Sequence, residues 1–162
     1  MEIEKYQFLK EGMFHCLEPL TKKDEGIWGV MKPQEMVEHL ADFFDVSSAK
    51  IHFDLAIPKE HLPRYKEFLY SDKPFRENTK APTGVLGEKP MPLRIADLEA
   101  AKKKLERSVQ DFFNYFNEHT GAQTLHPVFG MLTVHEWVLL HYKHVTHHLR
   151  QFKLWPATGY NE

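Results

Sequence analysis

Apolar side chains recur at steps of three and four residues in four segments of the chain, a spacing that predicts amphipathic helices. The first segment covers about residues 6–20, where Gly12 makes a regular helix less favourable. The second covers about 33–48 and begins with Pro33, which suits a first helical turn because its missing N–H would be unpaired there. These two segments are predicted as the first two helices.

Two longer helices are predicted in the second half of the chain. One covers about residues 95–119, and Gly121 follows it at the place of a C-terminal cap. The other covers about 133–155. Thr133 and the glutamate three residues later match a capping box at its start, and Pro156 is expected to end it.

Residues 50–92 do not continue the helical pattern, because six prolines and two glycines interrupt them. Only a short helix over about 59–69 is predicted there, with Pro63 in its first turn. No strand pattern is strong enough to indicate a sheet. The prediction is an all-α fold, a single domain over residues 1–162, in which four helices form a bundle and residues 50–92 form a long, irregular crossover.

Composition narrows the class of protein. The 162 residues are 42% hydrophobic and 27% charged, as in an ordinary globular domain. With 21 basic and 23 acidic residues, the net charge of -2 favours neither nucleic acid nor a membrane surface as a partner. The lone cysteine, Cys16, is predicted to be a small core residue, and a single cysteine is typical of a reducing compartment. The charged first residues and the lack of a long apolar run predict a cytoplasmic protein.

Histidine is the residue type that suggests chemistry. The chain has 11 histidines, and four lie between residues 141 and 148. Each helical residue advances by about 100°, so His141, His144, His148 and Trp137 fall on one face within about 60°. This face is also the apolar stripe of the last helix. Lys143, Thr146 and Arg150 fall on the other side.

The pair His144 and His148 has the spacing that places two imidazoles one helical turn apart. Their nitrogens could then bind one ion at the 2.0–2.1 Å typical of zinc–nitrogen bonds. A single buried histidine is more often satisfied by an ordinary hydrogen bond. Several imidazoles on one apolar stripe are harder to satisfy this way, because burying them is costly unless their lone pairs find a partner.

A third ligand is expected from another helix, and His39 is the best candidate by position. Glu35 and Asp42 flank it at helical spacing and could orient a ligand, although each could also be a simple surface carboxylate. His141 is a fourth imidazole on the same face, and it could line the pocket with Trp137 or replace a ligand. The remaining histidines outside this group are predicted at the surface, in loops or at caps: His15, His52, His61, His119, His126 and His135.

Three stretches of the chain resemble the DinB/YfiT-like superfamily of metalloenzymes, and in particular an uncharacterised branch of it. They are Trp28-Gly29-x-Met31 leading to Gln34-x-Met36-Val37-Glu38-His39-Leu40, then His126-Pro127-x-Phe129-Gly130-x-Leu132-Thr133, and finally His144-x-x-His147-His148-Leu149-Arg150-Gln151-Phe152. The resemblance implies a DinB-like four-helix bundle that holds a divalent metal, often zinc or nickel. The implied ligands are His39, His144 and His148, and His141 is outside the family pattern.

Two classes of function follow from this resemblance. Relatives in the superfamily include thiol S-transferases, so the first expectation is an enzyme that uses a low-molecular-weight thiol on a small-molecule substrate. Three imidazoles would leave a fourth metal position open, as in catalytic zinc sites. Metal-dependent hydrolysis is the alternative reaction. The other class is a non-catalytic bundle that the ion stabilises or joins into a homodimer.

Overall fold

The computed structural model describes residues 3–77 and 90–155, and this part of the chain is mostly helical with one small two-stranded sheet. The expectation of a helical fold is confirmed at this level. The sheet is a correction, since no strand was predicted. Within the described ranges, no helix has both the length and the apolar character that crossing a membrane requires.

The first predicted helix is continuous but irregular. It consists of α1 (Ile3–Gln7), a π-helical turn (Phe8–Gly12) and α2 (Met13–Leu17). The π turn ends at Gly12, the residue that weakened the helical prediction for this segment. Phe8 and Leu9 in this turn are buried. Cys16 in α2 is also buried, as was predicted for this residue.

The other helices agree with the predicted segments. They are α3 (Pro33–Ser47), α4 (Leu62–Tyr70), α5 (Leu98–Glu118) and α6 (Val134–Gln151). A short 3-10 turn (Lys59–His61) leads into α4, and Pro63 lies in the first turn of α4 as predicted. α5 begins three residues later than expected, because the Asp97 carboxylate accepts the Ala100 N–H and caps the helix there.

The end of α6 differs from the prediction. The helix ends at Gln151, and Lys153 adopts a left-handed conformation with φ of 60°. Its N–H donates to the Arg150 carbonyl, and the Leu154 N–H donates to the Leu149 carbonyl at 2.7 Å. This pair of bonds is a Schellman motif, which usually has glycine at the left-handed position. A lysine at this position is no signal for the end of a helix, and Pro156, the expected end, lies outside the described residues.

The sheet is a hairpin of β1 (Thr124–His126) and β2 (Gly130–Leu132), paired antiparallel with Thr124 opposite Leu132. Gly130 has φ of 80°, a conformation that glycine adopts without strain. Each strand has three residues, so an alternating pattern of buried and exposed positions is too short to recognise in the sequence.

Helix α6 occupies the centre of the structure. Thirteen of its 18 residues are buried, and the core around it includes Phe44 of α3, Phe112 of α5 and Trp137 of α6 itself. Lys143 and Thr146, which the helical pattern placed on the opposite, polar side, are also buried. A helix covered on almost every side must satisfy its polar side chains inside the protein.

Ion pairs and hydrogen bonds to buried carboxylates hold one side of helix α3. Glu38, Asp42 and Asp45 are spaced four and three residues apart, so they share a face, and all three are buried. Arg94 donates to both oxygens of Asp42 at 3.1 and 2.6 Å, and its backbone N–H donates to Glu38 at 3.0 Å. The ammonium group of Lys104 on α5 donates to Asp45 at 2.9 Å.

We expect Thr133→Ala to lower the free energy of unfolding by about 1 kcal/mol, because the variant loses the N-cap of α6. In the structure the Thr133 hydroxyl accepts the Glu136 N–H, and the Glu136 carboxylate accepts the Thr133 N–H. Urea denaturation measures the change. Thr133→Ser keeps the hydroxyl and should stay close to the parent, and equal losses in both variants would contradict the assigned cap.

Candidate metal centre

The structure brings together the three histidines that the sequence singled out as metal ligands. His39 projects from α3, and His144 and His148 project from consecutive turns of α6. The Nε2 atoms of His39 and His144 are 2.8 Å apart, and those of His144 and His148 are 3.2 Å apart. One ring nitrogen from each residue lies within 4.8 Å of the other two, which makes the group able to hold a metal ion.

The three rings are neutral at ordinary pH. Burial lowers the pKa of His39 to about 4, and the nearby His147 ring lowers it further. Burial also lowers the pKa of His144 and of His148 well below the usual histidine value, and His39 and His147 lower the pKa of each further. Neutral imidazole is the form that binds metals.

Gln151 fixes the orientation of His148. The His148 Nδ1–H donates to Gln151 Oε1 at 2.7 Å, so the lone pair of His148 is on Nε2, the atom in the cluster. Gln151 is itself held, because its Nε2 donates to the Trp28 carbonyl at 3.0 Å. Sequence reasoning missed Gln151, although its position three residues after His148 on the same helix was a usable signal.

Neither Glu35 nor Asp42 orients a ligand, which was one of the two roles considered for them. The Glu35 carboxylate accepts the Lys32 N–H at 2.8 Å, which caps its own helix. Asp42 is buried and paired with Arg94, so it is not a surface carboxylate either. Side-chain spacing along α3 placed both near His39, but a local cap and a cation from a distant part of the chain bind them instead.

Counting protons shows that a cation fits the cluster. Since the Nε2 of His148 carries no hydrogen, at most the Nε2 atoms of His144 and His39 could donate. If the Nε2–H of His144 donates to His148, the same single hydrogen would also have to donate to the Nε2 of His39. If His39 donates to His144, the lone pairs of His144 and His148 face each other at 3.2 Å. A cation would accept all three lone pairs. The separations of 2.8 and 3.2 Å that His144 makes with the other two rings are within roughly half an ångström of the ~3.3 Å that tetrahedral zinc–nitrogen bonds imply.

His141 lies outside the cluster, and so does Trp137. The Ser47 hydroxyl donates to the Phe44 carbonyl, so the Nε2–H of His141 must donate to the Ser47 oxygen at 2.9 Å. The His141 ring also stacks on Phe44, with centroids 3.8 Å apart. His141 is thus a core histidine with its own partner. Trp137 is fully buried, and its indole N–H donates to Thr124.

The other histidines divide into two groups. Those at the surface agree with the prediction: His15, His52, His61 and His119 are exposed, and His119 also caps α5 by bonding to the Tyr115 carbonyl. His126 does not agree with a surface position, because it is buried at the end of β1. Its Nδ1 accepts the N–H groups of Val128 and Phe129 at 3.0 and 3.2 Å, so it closes the hairpin turn.

Aromatic rings line part of the cluster, in which His148 is buried and His39 and His144 are half-buried. Phe43 packs edge-on against both His39 and His144, with centroids 5.2 and 5.1 Å apart. Phe75 lies 6.5 Å from His144 and 5.9 Å from His147. His147, which is buried beside His148, has a pKa lowered to about 4, mainly by burial. The surroundings of the three nitrogens are therefore apolar and aromatic, and a charged ligand there would be poorly hydrated.

Residues 77–154 match the model of a family described as "Protein of unknown function (DUF1569)". The matched range contains His144 and His148 but not His39. No curated protein and no solved structure matches the chain.

The buried His126 predicts a pH dependence of stability. Burial lowers its pKa to about 3, whereas the unfolded chain takes up this proton near pH 6.5. Below pH 6.5 the unfolded state binds more protons, so the free energy of unfolding should fall with pH by about 1.4 kcal/mol per unit for this residue. Urea denaturation at pH 6.5 and 5.5, with a chelator present, measures the fall.

A matched variant separates His126 from the other buried histidines. His126→Asn provides an oxygen that can accept the same two N–H groups but does not titrate. We expect the fall between the two pH values to be about 1 kcal/mol smaller in this variant. The same pH dependence in both proteins would show that His126 is not the group responsible.

Proposed function

We propose that the protein is a metal-dependent enzyme that holds a divalent cation with His39, His144 and His148. The proposed reaction is transfer of a low-molecular-weight thiol to an electrophilic small molecule. The observation that carries the metal site is the convergence of three neutral imidazole nitrogens whose lone pairs have too few hydrogen atoms to satisfy them. The thiol reaction rests on the resemblance to DinB-like thiol S-transferases.

The donor set supports zinc or nickel. Imidazole nitrogen suits both ions, and catalytic zinc sites commonly have three protein ligands and one open position. A bound ion of this kind lowers the pKa of a thiol or water in the open position. Among the described residues, no carboxylate or cysteine joins the three histidines in the cluster. A neutral set of ligands leaves the positive charge of the ion available to an anionic fourth ligand.

The residues around the cluster would position the substrate. The rings of Phe43 and Phe75 form an apolar wall beside His144, which favours an electrophile with an apolar or aromatic portion. We further propose that the first helical segment, α3, α5 and α6 form a DinB-like four-helix bundle. In that arrangement the chain between α3 and α5 is the long crossover, and it supplies Phe75 to the site.

The metal site is tested by elemental analysis of protein purified without a nickel column. We expect about one zinc or nickel ion per chain in the parent protein, and loss of the ion in both His39→Ala and His148→Ala, because two imidazoles bind far more weakly than three. His15→Ala removes an exposed histidine and should retain the metal. Retention of the metal in both cluster variants would refute the site.

The reaction is tested on the same proteins. Consumption of cysteine in the presence of monochlorobimane should be faster with the parent protein, and chelation or His148→Ala should abolish the acceleration. Hydrolysis of a phenyl ester without thiol consumption would instead support the hydrolase. Bound metal with neither activity, and a melting temperature lowered by chelation, would indicate a non-catalytic metal-binding bundle.

Gln151 should affect metal affinity through His148. Gln151→Leu removes the acceptor for the His148 Nδ1–H, and we expect the metal dissociation constant to rise about 10- to 100-fold. Gln151→Glu keeps an oxygen at this position and should bind close to the parent. Competition with a chromophoric chelator measures both constants. Unchanged affinity in Gln151→Leu would mean that the bond does not orient His148.

A further inference from the structure

A cavity lies on the face of α6 opposite the histidine cluster. It has a volume of ≈ 300 Å³, is open to solvent on one side and is lined by α1, residues 69–74 and α6. Lys143 and Arg150 line it, and at 100° per residue both point away from His144 and His148. The cavity is therefore separate from the proposed metal centre, and an inference from it does not depend on the proposed function.

The lining of this cavity is strongly cationic. Lys5, Lys73, Lys143 and Arg150 contribute positive charges, and Asp72 is the acidic residue among the lining side chains. Within residues 3–77 and 90–155, no carboxylate forms an ion pair with Lys73, Lys143 or Arg150. By contrast, the acidic residues of α3 are paired with Arg94 and Lys104. Lys73, Lys143 and Arg150 thus lack the ion pairs that the protein provides elsewhere, and the charge of Asp72 acts on Lys143 only from a longer distance.

Of these cations, Lys143 is buried and Arg150 is half-buried. Lys143 is only 8% exposed, and its ammonium group donates to the carbonyls of Ser71 and Lys73 at 2.7 and 2.6 Å. Carbonyl groups fix its position but do not cancel its charge. Arg150 has a buried Nη2 atom that makes no hydrogen bond to the described residues. A buried donor without an acceptor is costly, and a buried cation is more so.

We propose that this cavity binds the oxyanion group of a small molecule, a phosphate or a carboxylate. An oxyanion would neutralise the fixed charge of Lys143 and offer an acceptor to the guanidinium of Arg150, whose planar donors match such groups in pairs. Lys5 and Lys73 would add attraction from the cavity rim. The volume is at the lower end of the range for small-molecule sites, so the ligand is small.

Calorimetric titration of the full chain tests this site, with inorganic phosphate in one series and succinate in another, at constant ionic strength set with chloride. We expect saturable binding of at least one ion, with one site per chain. Tighter binding of phosphate would identify a phosphorylated ligand, and tighter binding of succinate would identify a carboxylate. No saturable binding of either ion would overturn the proposal.

Three variants locate the binding site. Arg150→Gln should weaken binding more than about tenfold, the loss expected for a charge-assisted hydrogen bond. The Lys73 side chain is exposed, so Lys73→Gln should fold normally, and it should weaken binding by a smaller factor. If urea denaturation shows that Arg150→Gln is unfolded, the result for Lys73→Gln decides whether the anion binds in this cavity. Lys103→Gln removes an exposed charge on α5 and should bind like the parent. Equal weakening by Lys73→Gln and Lys103→Gln would show only general electrostatic attraction and refute the site.

Discussion

The polar side chains of α6 have to find partners inside the protein, because this helix is buried on almost every side. Most of them do. His141 donates to Ser47, Lys143 donates to backbone carbonyls, and the Thr146 hydroxyl donates to the Tyr142 carbonyl. One exception is the cluster that His144 and His148 form with His39, where three neutral rings meet and no arrangement of their protons satisfies every nitrogen. The other is Arg150, whose buried Nη2 atom makes no hydrogen bond to the described residues.

The position of His39 depends on how α3 is held. The acidic residues Glu38, Asp42 and Asp45 lie on one side of α3 and are fastened by Arg94 and Lys104, whereas the His39 side chain lies against Phe43 and the histidines of α6. These ion pairs therefore hold α3 against α5 and against the segment before α5 that contains Arg94. They fix the rotation of α3 about its axis, which directs His39 toward α6. The carboxylates near His39 in sequence act on its placement through the helix and do not contact its ring.

Much of this arrangement could be predicted from the sequence because it is encoded locally. The capping box at Thr133 and the four-residue step from His144 to His148 depend only on neighbouring residues of one helix. What could not be predicted depends on distant partners or on unusual residues. The burial of Asp42 was missed because its partner, Arg94, is distant in sequence. The end of α6 was missed because Lys153 adopts a left-handed conformation without being glycine. The burial of His126 was missed because its role requires a hairpin of two three-residue strands.

The two sides of α6 are opposite in charge preference, and one segment of the chain touches both. Neutral imidazoles on one side favour a cation, and Lys143 and Arg150, which form no ion pair with the described residues, favour an anion on the other side. The carbonyls of Ser71 and Lys73 bind Lys143 at the cavity, and two residues later the Phe75 ring lies against His144 and His147. Residues 71–75 are therefore held at both ends, by Lys143 at the cavity and by the His144 and His147 rings beside the cluster. The same short segment contributes to the walls of both sites because α6 presents one site on each of its opposite faces.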